Sequence, residues 1–394
     1  MREQHSILQL TFNRRIIIFF AFLIFYLPIH LIQADDSYPF EPHGFISQGF
    51  IHSTDNNYLV ESRVGSFEFT EAGFNITHQL TDKMRTGVQL FARQLGPTGN
   101  FNAKIDWFYF DYHAFDSLGF RFGRLKLPFG LYNDSSDIDS ARTPILLPQS
   151  IYPTQNRDFL LAQNGMEAYG YSSFAGWGAL DYRLYGGTIY IPFTNIPGAT
   201  SQIKELSVPY VVGSRILWET PLEGLRVGGS IQALKLDGTF YYNSSLSNVT
   251  GQIPALLWVG SAEYSHSNWL LSTEYSRWYV KTGNSNNPAA FPGSSTTSER
   301  AYAMASYRAN SWFQPGLYHS IQFSNVESRT GRQSYQHDLA ATLRFDINRF
   351  WLVKLEGHLM KGTAGLNTTL NNGTPLKDLK EDWGVLAIKT TAYF

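Results

Sequence analysis

The chain has 394 residues, with 31 basic and 32 acidic side chains for a formal net charge of −1, and it contains no cysteine. That balance gives nucleic-acid binding no support, and the missing thiols exclude a disulfide framework and any thiolate metal site. The 29 Phe, 23 Tyr and 9 Trp are numerous and fit aromatic belts at two membrane interfaces.

At the N-terminus, Arg14 and Arg15 precede an apolar run from Ile16 to Ile32, and Gln33-Ala34-Asp35 follows it. A basic region, a hydrophobic region and a small residue before an acidic start read as a secretory signal cleaved after Ala34. The run is also near the shortest helix that spans a bilayer, but Pro28, His30 and Ala34 favour cleavage over an anchor. Residues 1–34 are therefore expected to be a cleaved signal peptide and 35–394 a single domain. Removing the signal takes away Arg2, Arg14 and Arg15 against Glu3, so the remainder is slightly more acidic. No long apolar stretch recurs beyond it, which excludes a bundle of membrane helices. No linker or charge block divides what is left.

From there the chain alternates. Strands are expected at 43–52, 64–80, 85–95, 103–115, 118–127, 165–174, 177–190, 207–219, 225–237, 255–265, 269–281, 299–309, 315–325, 335–347, 350–361 and 381–394. In Asp338–Ile347, Leu339, Ala341, Leu343, Phe345 and Ile347 share one face, and Asp338, Thr342, Arg344 and Asp346 the other. The next strand sets Trp351, Val353, Leu355 and Leu359 against Lys354, Glu356 and His358. Charges on one parity and apolar groups on the other mark a strand between lipid and a wet lumen. Short turns at 81–84, 221–224, 265–268, 310–311 and 348–349 largely alternate with long polar stretches at 128–164, 191–206, 238–253, 282–298, 326–334 and 362–380. The fold class is thus all-β: an antiparallel transmembrane barrel of roughly sixteen strands, with short periplasmic turns and long extracellular loops.

The segment 128–164 stands apart. A strand ends at Pro128, which cannot donate to a ladder, and loops longer than about 12–15 residues are usually functional. This one holds Asp134, Asp137 and Asp139, then Arg142, and later Arg157 beside Asp158. Its apolar pieces, Ile145-Leu146-Leu147 and Phe159-Leu160-Leu161, would be costly in water and call for a packing surface, such as the inner wall of the barrel. Acids and arginines on opposite sides of a narrow aqueous gap would then set pore size and a transverse field. The alternative is a folded extracellular cap, and length alone does not choose between the two.

The stretch Gly123-Arg124-Leu125-Lys126-Leu127-Pro128-Phe129-Gly130-Leu131-Tyr132-Asn133 resembles the Gly-Arg/Gln-x-x-x-Pro-Phe-Gly segment of the phosphate-selective porin O/P type and related trimeric porins. The resemblance implies a sixteen-stranded homotrimeric diffusion channel for small solutes in the Gram-negative outer membrane. Phosphate-selective members line the lumen richly with lysines and arginines, whereas this chain is slightly acidic. By parity Arg124 and Lys126 share a face opposite Leu125 and Leu127, so both should face the lumen. With Arg142 and Arg157 they would form a basic strip attracting anions, and Asp137 and Asp139 an opposing acidic side. These six are the candidate pore-lining residues. Arg93, Asp181, Arg183, Arg226, Glu263, Arg344, Lys354 and Glu356 are further wall positions, and their mixed signs predict weak selectivity for small anionic or neutral solutes.

Two other function classes compete with a pore. A lipid hydrolase would need a serine activated by histidine; Ser265-His266 and His319-Ser320 offer the residue types, but the first pair lies in a short turn with no orienting acid. A structural or adhesive barrel would give no conductance, and a plugged lumen would need extra soluble sequence. The histidines and carboxylates show no metal-ligand spacing and no nucleotide-type glycine loop is present, so no metal, cofactor or enzymatic activity is expected.

The chain ends on Phe394, in a strand with Gly384, Leu386, Ile388, Thr390 and Ala392 on its face and Lys389, Thr391 and Tyr393 on the other. A strand buries such a face only when both its edges are paired, and closure against the segment near His43 supplies the second edge. The ending resembles the closing strand of Gram-negative outer-membrane barrels, which implies recognition of Phe394 by the assembly machinery and contact with outer-membrane lipid.

Overall fold

The computed structural model describes residues 39–191, 201–242 and 248–394; the signal expected over 1–34 lies outside them. Period-two alternation runs through this chain sixteen times, and each run forms a strand. The strands are β1 Phe40–Ser53, β2 Ser66–Thr81, β3 Met84–Leu95, β4 Lys104–Phe115, β5 Leu118–Lys126, β6 Ala162–Phe174, β7 Gly178–Ile189 and β8 Ser201–Glu219. They continue with β9 Leu225–Tyr242, β10 Asn248–His266, β11 Trp269–Thr282, β12 Ser294–Tyr307, β13 Phe313–Phe323, β14 Tyr335–Asn348, β15 Trp351–Gly362 and β16 Asp382–Tyr393. Each pairs with its chain neighbours, and β16 returns to β1 to give a closed antiparallel barrel of sixteen strands. Closure leaves no edge strand with unpaired backbone groups, the condition for a sheet surrounded by lipid.

The closing seam forms where the sequence places it. Phe45 lies opposite Tyr393, the Phe394 N–H donates to the Gly44 carbonyl at 3.0 Å, and the Gly44 N–H donates back at 3.2 Å. The two parities of β14–β16 divide as expected. Asp338, Thr342, Arg344, Lys354, Glu356, His358, Lys389 and Thr391 are buried inside, while Leu339, Leu343, Leu359, Leu386, Ile388 and Phe394 are exposed outside. Exposed aromatics gather at the short-turn end, among them Phe115, Trp177, Trp218, Trp269, Trp312 and Trp351, where an interfacial belt belongs.

Two expectations give way. Within the polar stretches 191–206 and 238–253, read as loops, residues 201–206, 238–242 and 248–253 are strand: β8, β9 and β10 have 19, 18 and 19 residues, and Gln202 pairs with Tyr241 and Val249 with Phe240. Backbone pairing continues there because Phe240, Tyr241 and Thr239 suit a pleated strand whatever faces them. At about 3.3 Å per residue these strands are roughly 60 Å long, far more than an apolar band about 25 Å tall requires even with tilt.

The second concerns the interior. No added soluble segment is needed to fill it, because the long loop between β5 and β6 enters it. Phe129, Leu147, Ile151, Tyr152 and Leu160 of that loop pack on inward-facing Tyr185, Val211, Leu234, Leu257, Val259, Trp278 and Tyr302 of β7–β12. Ile145 and Leu146 pack with Ile51, Phe69, Met360, Trp383 and Val385 on the other side. Each such side chain removed from water contributes about 1.5–3 kcal/mol, which accounts for the apolar pieces of a loop that looked too greasy for solvent.

Candidate functional site

The loop is held as well as packed. Glu356 on β15 accepts the backbone N–H of Ile145 at 2.6 Å and of Leu146 at 2.9 Å. Across the barrel, Glu274 on β11 accepts the N–H of Leu131 at 2.9 Å and the hydroxyls of Ser261, Tyr302 and Tyr152. Ser230 on β9 accepts the N–H of Gly130 at 3.0 Å. Backbone amides of a loop have no ladder to satisfy them, and a buried one left unpaired is costly. Wall carboxylates take that role here, and they fix the loop across the lumen from β9 and β11 to β15.

The charged residues singled out from sequence join this anchoring. Arg157 donates to both oxygens of Asp106 on β4, at 2.9 and 2.7 Å, a fork-to-carboxylate geometry that is among the stronger hydrogen-bond arrangements. Its guanidinium also lies over the Phe91 ring, 3.9 Å from the centroid. Asp137 sits 2.5 Å from the Lys126 ammonium, accepts from Gln89 at 2.9 Å and lies 3.8 Å from Arg157. Asp139 meets Lys354 at 3.0 Å, Arg142 at 3.6 Å and Lys389 at 3.6 Å, and it accepts from Thr391 at 2.7 Å. Arg124 donates to the backbone carbonyl of Asp106 at 2.8 Å. The structure thus brings five of the six into two ionic clusters, with Arg124 beside the first through the Asp106 carbonyl. The acids are paired directly with the bases; they do not face them across an aqueous gap.

Asp137 and Asp139 are both buried. Burial alone would raise their carboxyls, but Lys126 and then Arg157 outweigh it at Asp137 and hold that group at about 2. At Asp139, Lys354, Lys389 and Arg142 outweigh burial further still and keep the carboxyl well below the usual carboxylate range. Both stay ionised wherever an outer membrane functions.

The parity argument at β5 needs a correction. Leu125 and Leu127 are both buried and do not face lipid. Leu125 shares a cavity lining with Arg124 and Lys126, and Leu127 joins the apolar cluster under the loop. Gly123, two residues before Leu125, has a φ of +138°. A Cβ there would stand 2.3 Å from the Phe108 carbonyl oxygen.

Below the loop, toward the short-turn end, a cavity of about 280 Å³ remains between β3–β7 and Asp134. Arg85, Arg121, Arg124, Lys126 and Arg183 line it against Asp111, Asp134 and Glu167, two more positive groups than negative. Arg121 bridges Asp111 and Glu167 at 3.0 and 3.1 Å, and Asp134 is shared by Arg183 and Arg215 at 3.0 and 3.1 Å. Sequence reading missed Asp106, Glu71, Asp111, Glu167 and Glu274. Inward parity was the signal available for all but Asp106, which lies at the register shift between β3 and β4 and has the parity of outward Phe108 and Phe110. The histidines that a hydrolase would use are engaged elsewhere: His266 stacks on Tyr264, and His319 lies 3.2 Å from His337.

No family model matches the chain, and no curated protein matches it. Solved structures do. A loop-deletion form of OmpT, an outer-membrane protein of Vibrio cholerae, superposes with a TM-score of 0.56 at 10% identity, over 91% of this chain and 100% of that one. An anion-selective porin from Comamonas acidovorans gives 0.56 at 11% identity, over 91% and 100%. The trimer form of in-vitro folded OmpT from Vibrio cholerae gives 0.54 at 12% identity, over 91% and 99%. Likeness at such low identity is likeness of fold, and the fold is that of a porin-like outer-membrane barrel.

Proposed function

We propose that the chain is an outer-membrane porin whose inward-folded loop narrows a water-filled path for small hydrophilic solutes, with anions passing more readily than cations. The observation that carries the reading is the anchoring of Ile145 and Leu146 to Glu356 on one wall and of Gly130 and Leu131 to Ser230 and Glu274 on another. A loop that only capped the rim would not need carboxylates placed inside the barrel to receive its amides. The positive excess in the cavity below supports the anion preference, since charged rings and walls bias which ions enter. Export through the signal at 1–34, assembly through Phe394 and association as a homotrimer complete the proposal, with a trimer form known for one structural neighbour. Membership of the phosphate-selective O/P type rests on residues 123–133 alone. No catalytic role is assigned.

Planar-bilayer recording of the reconstituted protein tests this. Small single-channel steps with an anion-type reversal potential in a salt gradient are expected. Silence under conditions where a control porin inserts sinks the pore. A non-conducting structural barrel is then the reading that remains, and the two apolar clusters around the loop favour it.

A further inference from the structure

Two residues that line the cavity below the loop, Trp107 on β4 and Asp134 of the loop, each keep a buried polar atom without a partner. The Trp107 Nε1 and the Asp134 Oδ1 are closed off from solvent and have no hydrogen-bond partner among the described residues. The other Asp134 oxygen holds Arg183 and Arg215 at 3.0 and 3.1 Å. An indole N–H only donates, and a carboxylate oxygen accepts. Buried polar groups are nearly always paired, so two unpaired ones of opposite kind on one cavity call for a cause.

The same cavity carries an aromatic surface among its charges. Trp107 and Tyr109 sit at alternate positions of β4, both line the cavity, and their rings stack with centroids 5.6 Å and planes 17° apart. Gly87 stands across the ladder from Tyr109, and a Cβ there would come within 2.9 Å of the Tyr109 Cζ, so the ring lies over a bare strip of wall. Inward rings that serve packing alone are covered, as Trp278 and Tyr302 are beneath the loop. Trp107 and Tyr109 stay partly exposed.

Solute classes meet these features differently. A cation would leave the indole N–H unpaired, and Asp134 would repel an anion. A hydroxyl group donates and accepts at once, so a polyol supplies both partners. The C–H face of a sugar ring is apolar, and aromatic rings offer a large apolar surface for it. Trp107 and Lys126 also line a second cavity of about 390 Å³, together with Phe45, Asn75, Gln89 and Tyr393. With about 280 Å³ in the first, a second sugar ring has room.

We propose that the Trp107–Tyr109 surface is a binding subsite for a neutral saccharide. One pyranose ring lies on the aromatic pair, and its hydroxyls pair the Trp107 N–H and the Asp134 oxygen. This names a solute class for the path proposed above, and as a transport site it rests on that reading.

The test is saturation-transfer NMR of the full barrel in a detergent without a sugar headgroup, titrated with D-glucose, with maltose and with sorbitol. Sorbitol is as rich in hydroxyls but has no ring face. Saturable binding of maltose is expected, tighter than that of glucose, with the ring C–H protons receiving most of the transfer and sorbitol at least tenfold weaker. Trp107→Phe keeps an aromatic surface and loses the N–H, and should weaken maltose binding several-fold. Trp107→Ala should weaken it at least tenfold, with heat-dependent gel mobility as the folding control. The sorbitol comparison uses the natural protein and reports even if Trp107→Ala fails to fold. No saturable binding of either sugar, sorbitol binding as tightly as glucose, or undiminished maltose binding in both variants overturns the subsite. Binding in detergent requires no conductance, so a protein that conducts without binding sugar loses only this inference, and one that binds without conducting loses only the pore.

Discussion

Glu356 grips Leu146 by its backbone amide at 2.9 Å and spans to the neighbouring Ile145 amide at 2.6 Å, so one wall carboxylate determines where the loop crosses the lumen. It is supported in turn by Thr342 at 2.6 Å and His358 at 3.1 Å. Hydrogen bonds to a charged group contribute about 1.5–3 kcal/mol each, and leaving buried donors unpaired costs comparable amounts. Glu356→Ala is therefore expected to lower the heat-modification temperature and to enlarge or destabilise the single-channel conductance. Glu356→Gln keeps one acceptor oxygen and should fall between. Unchanged conductance and heat stability in both variants would mean that the loop is positioned by its apolar contacts alone.

The acids of the loop predict a pH response. Asp137 is held at about 2 and Asp139 well below the usual carboxylate range by the cations that outweigh their burial. A carboxyl whose pKa is depressed on folding contributes stability that is fully present above its unfolded value of about 3.9 and is lost as pH falls through the folded value. The contribution of these two carboxylates to loop anchoring should be constant above about pH 4 and be lost as pH falls from about 4 toward 2. Conductance and noise recorded across that range are the readout. A transition centred between pH 6 and 7 would assign the switch to other groups.

Gly123 stands just before the stretch that leads through Lys126 and Leu127 into the loop. With φ at +138° and a Cβ site 2.3 Å from the Phe108 carbonyl oxygen, an alanine meets both backbone strain and a steric clash. Strained backbone of this kind costs on the order of 1–3 kcal/mol, to which the clash adds. Gly123→Ala should lower folding yield and heat stability more than Gly357→Ala, where a Cβ meets nothing within 4 Å. Equal behaviour of the two variants would show that β5 relaxes without consequence.

The barrel was legible because every strand buries one face, which locks parity and leaves a period-two trace from Phe45 to Phe394. The path of the loop was not. Leu146 and Glu356 are far apart in sequence, and no local pattern says which inward acid will receive a given amide. The six charged candidates were found because a long loop rich in acids and arginines is unusual. Their pairing was hidden because Asp106, Lys354 and Lys389 sit on strands where each looks like an ordinary wall charge. The β5 error is one of phase, since Leu125 and Leu127 continue the parity of Arg121, which bridges Asp111 and Glu167. Trp107 and Asp134 show the same limit as the loop path, since nothing local says that both will line one cavity.

Selectivity should follow the short-turn cavity. Its lining holds five basic and three acidic side chains, all within about one Debye length of a passing ion at physiological salt. Arg183 is the residue to change, because its partner Asp134 keeps a second cation in Arg215 at 3.1 Å. Arg183→Glu removes one positive group and adds one negative, which cancels the excess. The reversal potential in a salt gradient should move toward zero, with heat-dependent gel mobility as the folding control. Asp111→Asn works in the opposite direction and should strengthen anion preference, although it frees Arg121 from one of its two acids. If neither variant shifts the reversal potential while conductance persists, the ions take a route that avoids this cavity, and the selective step lies above the loop.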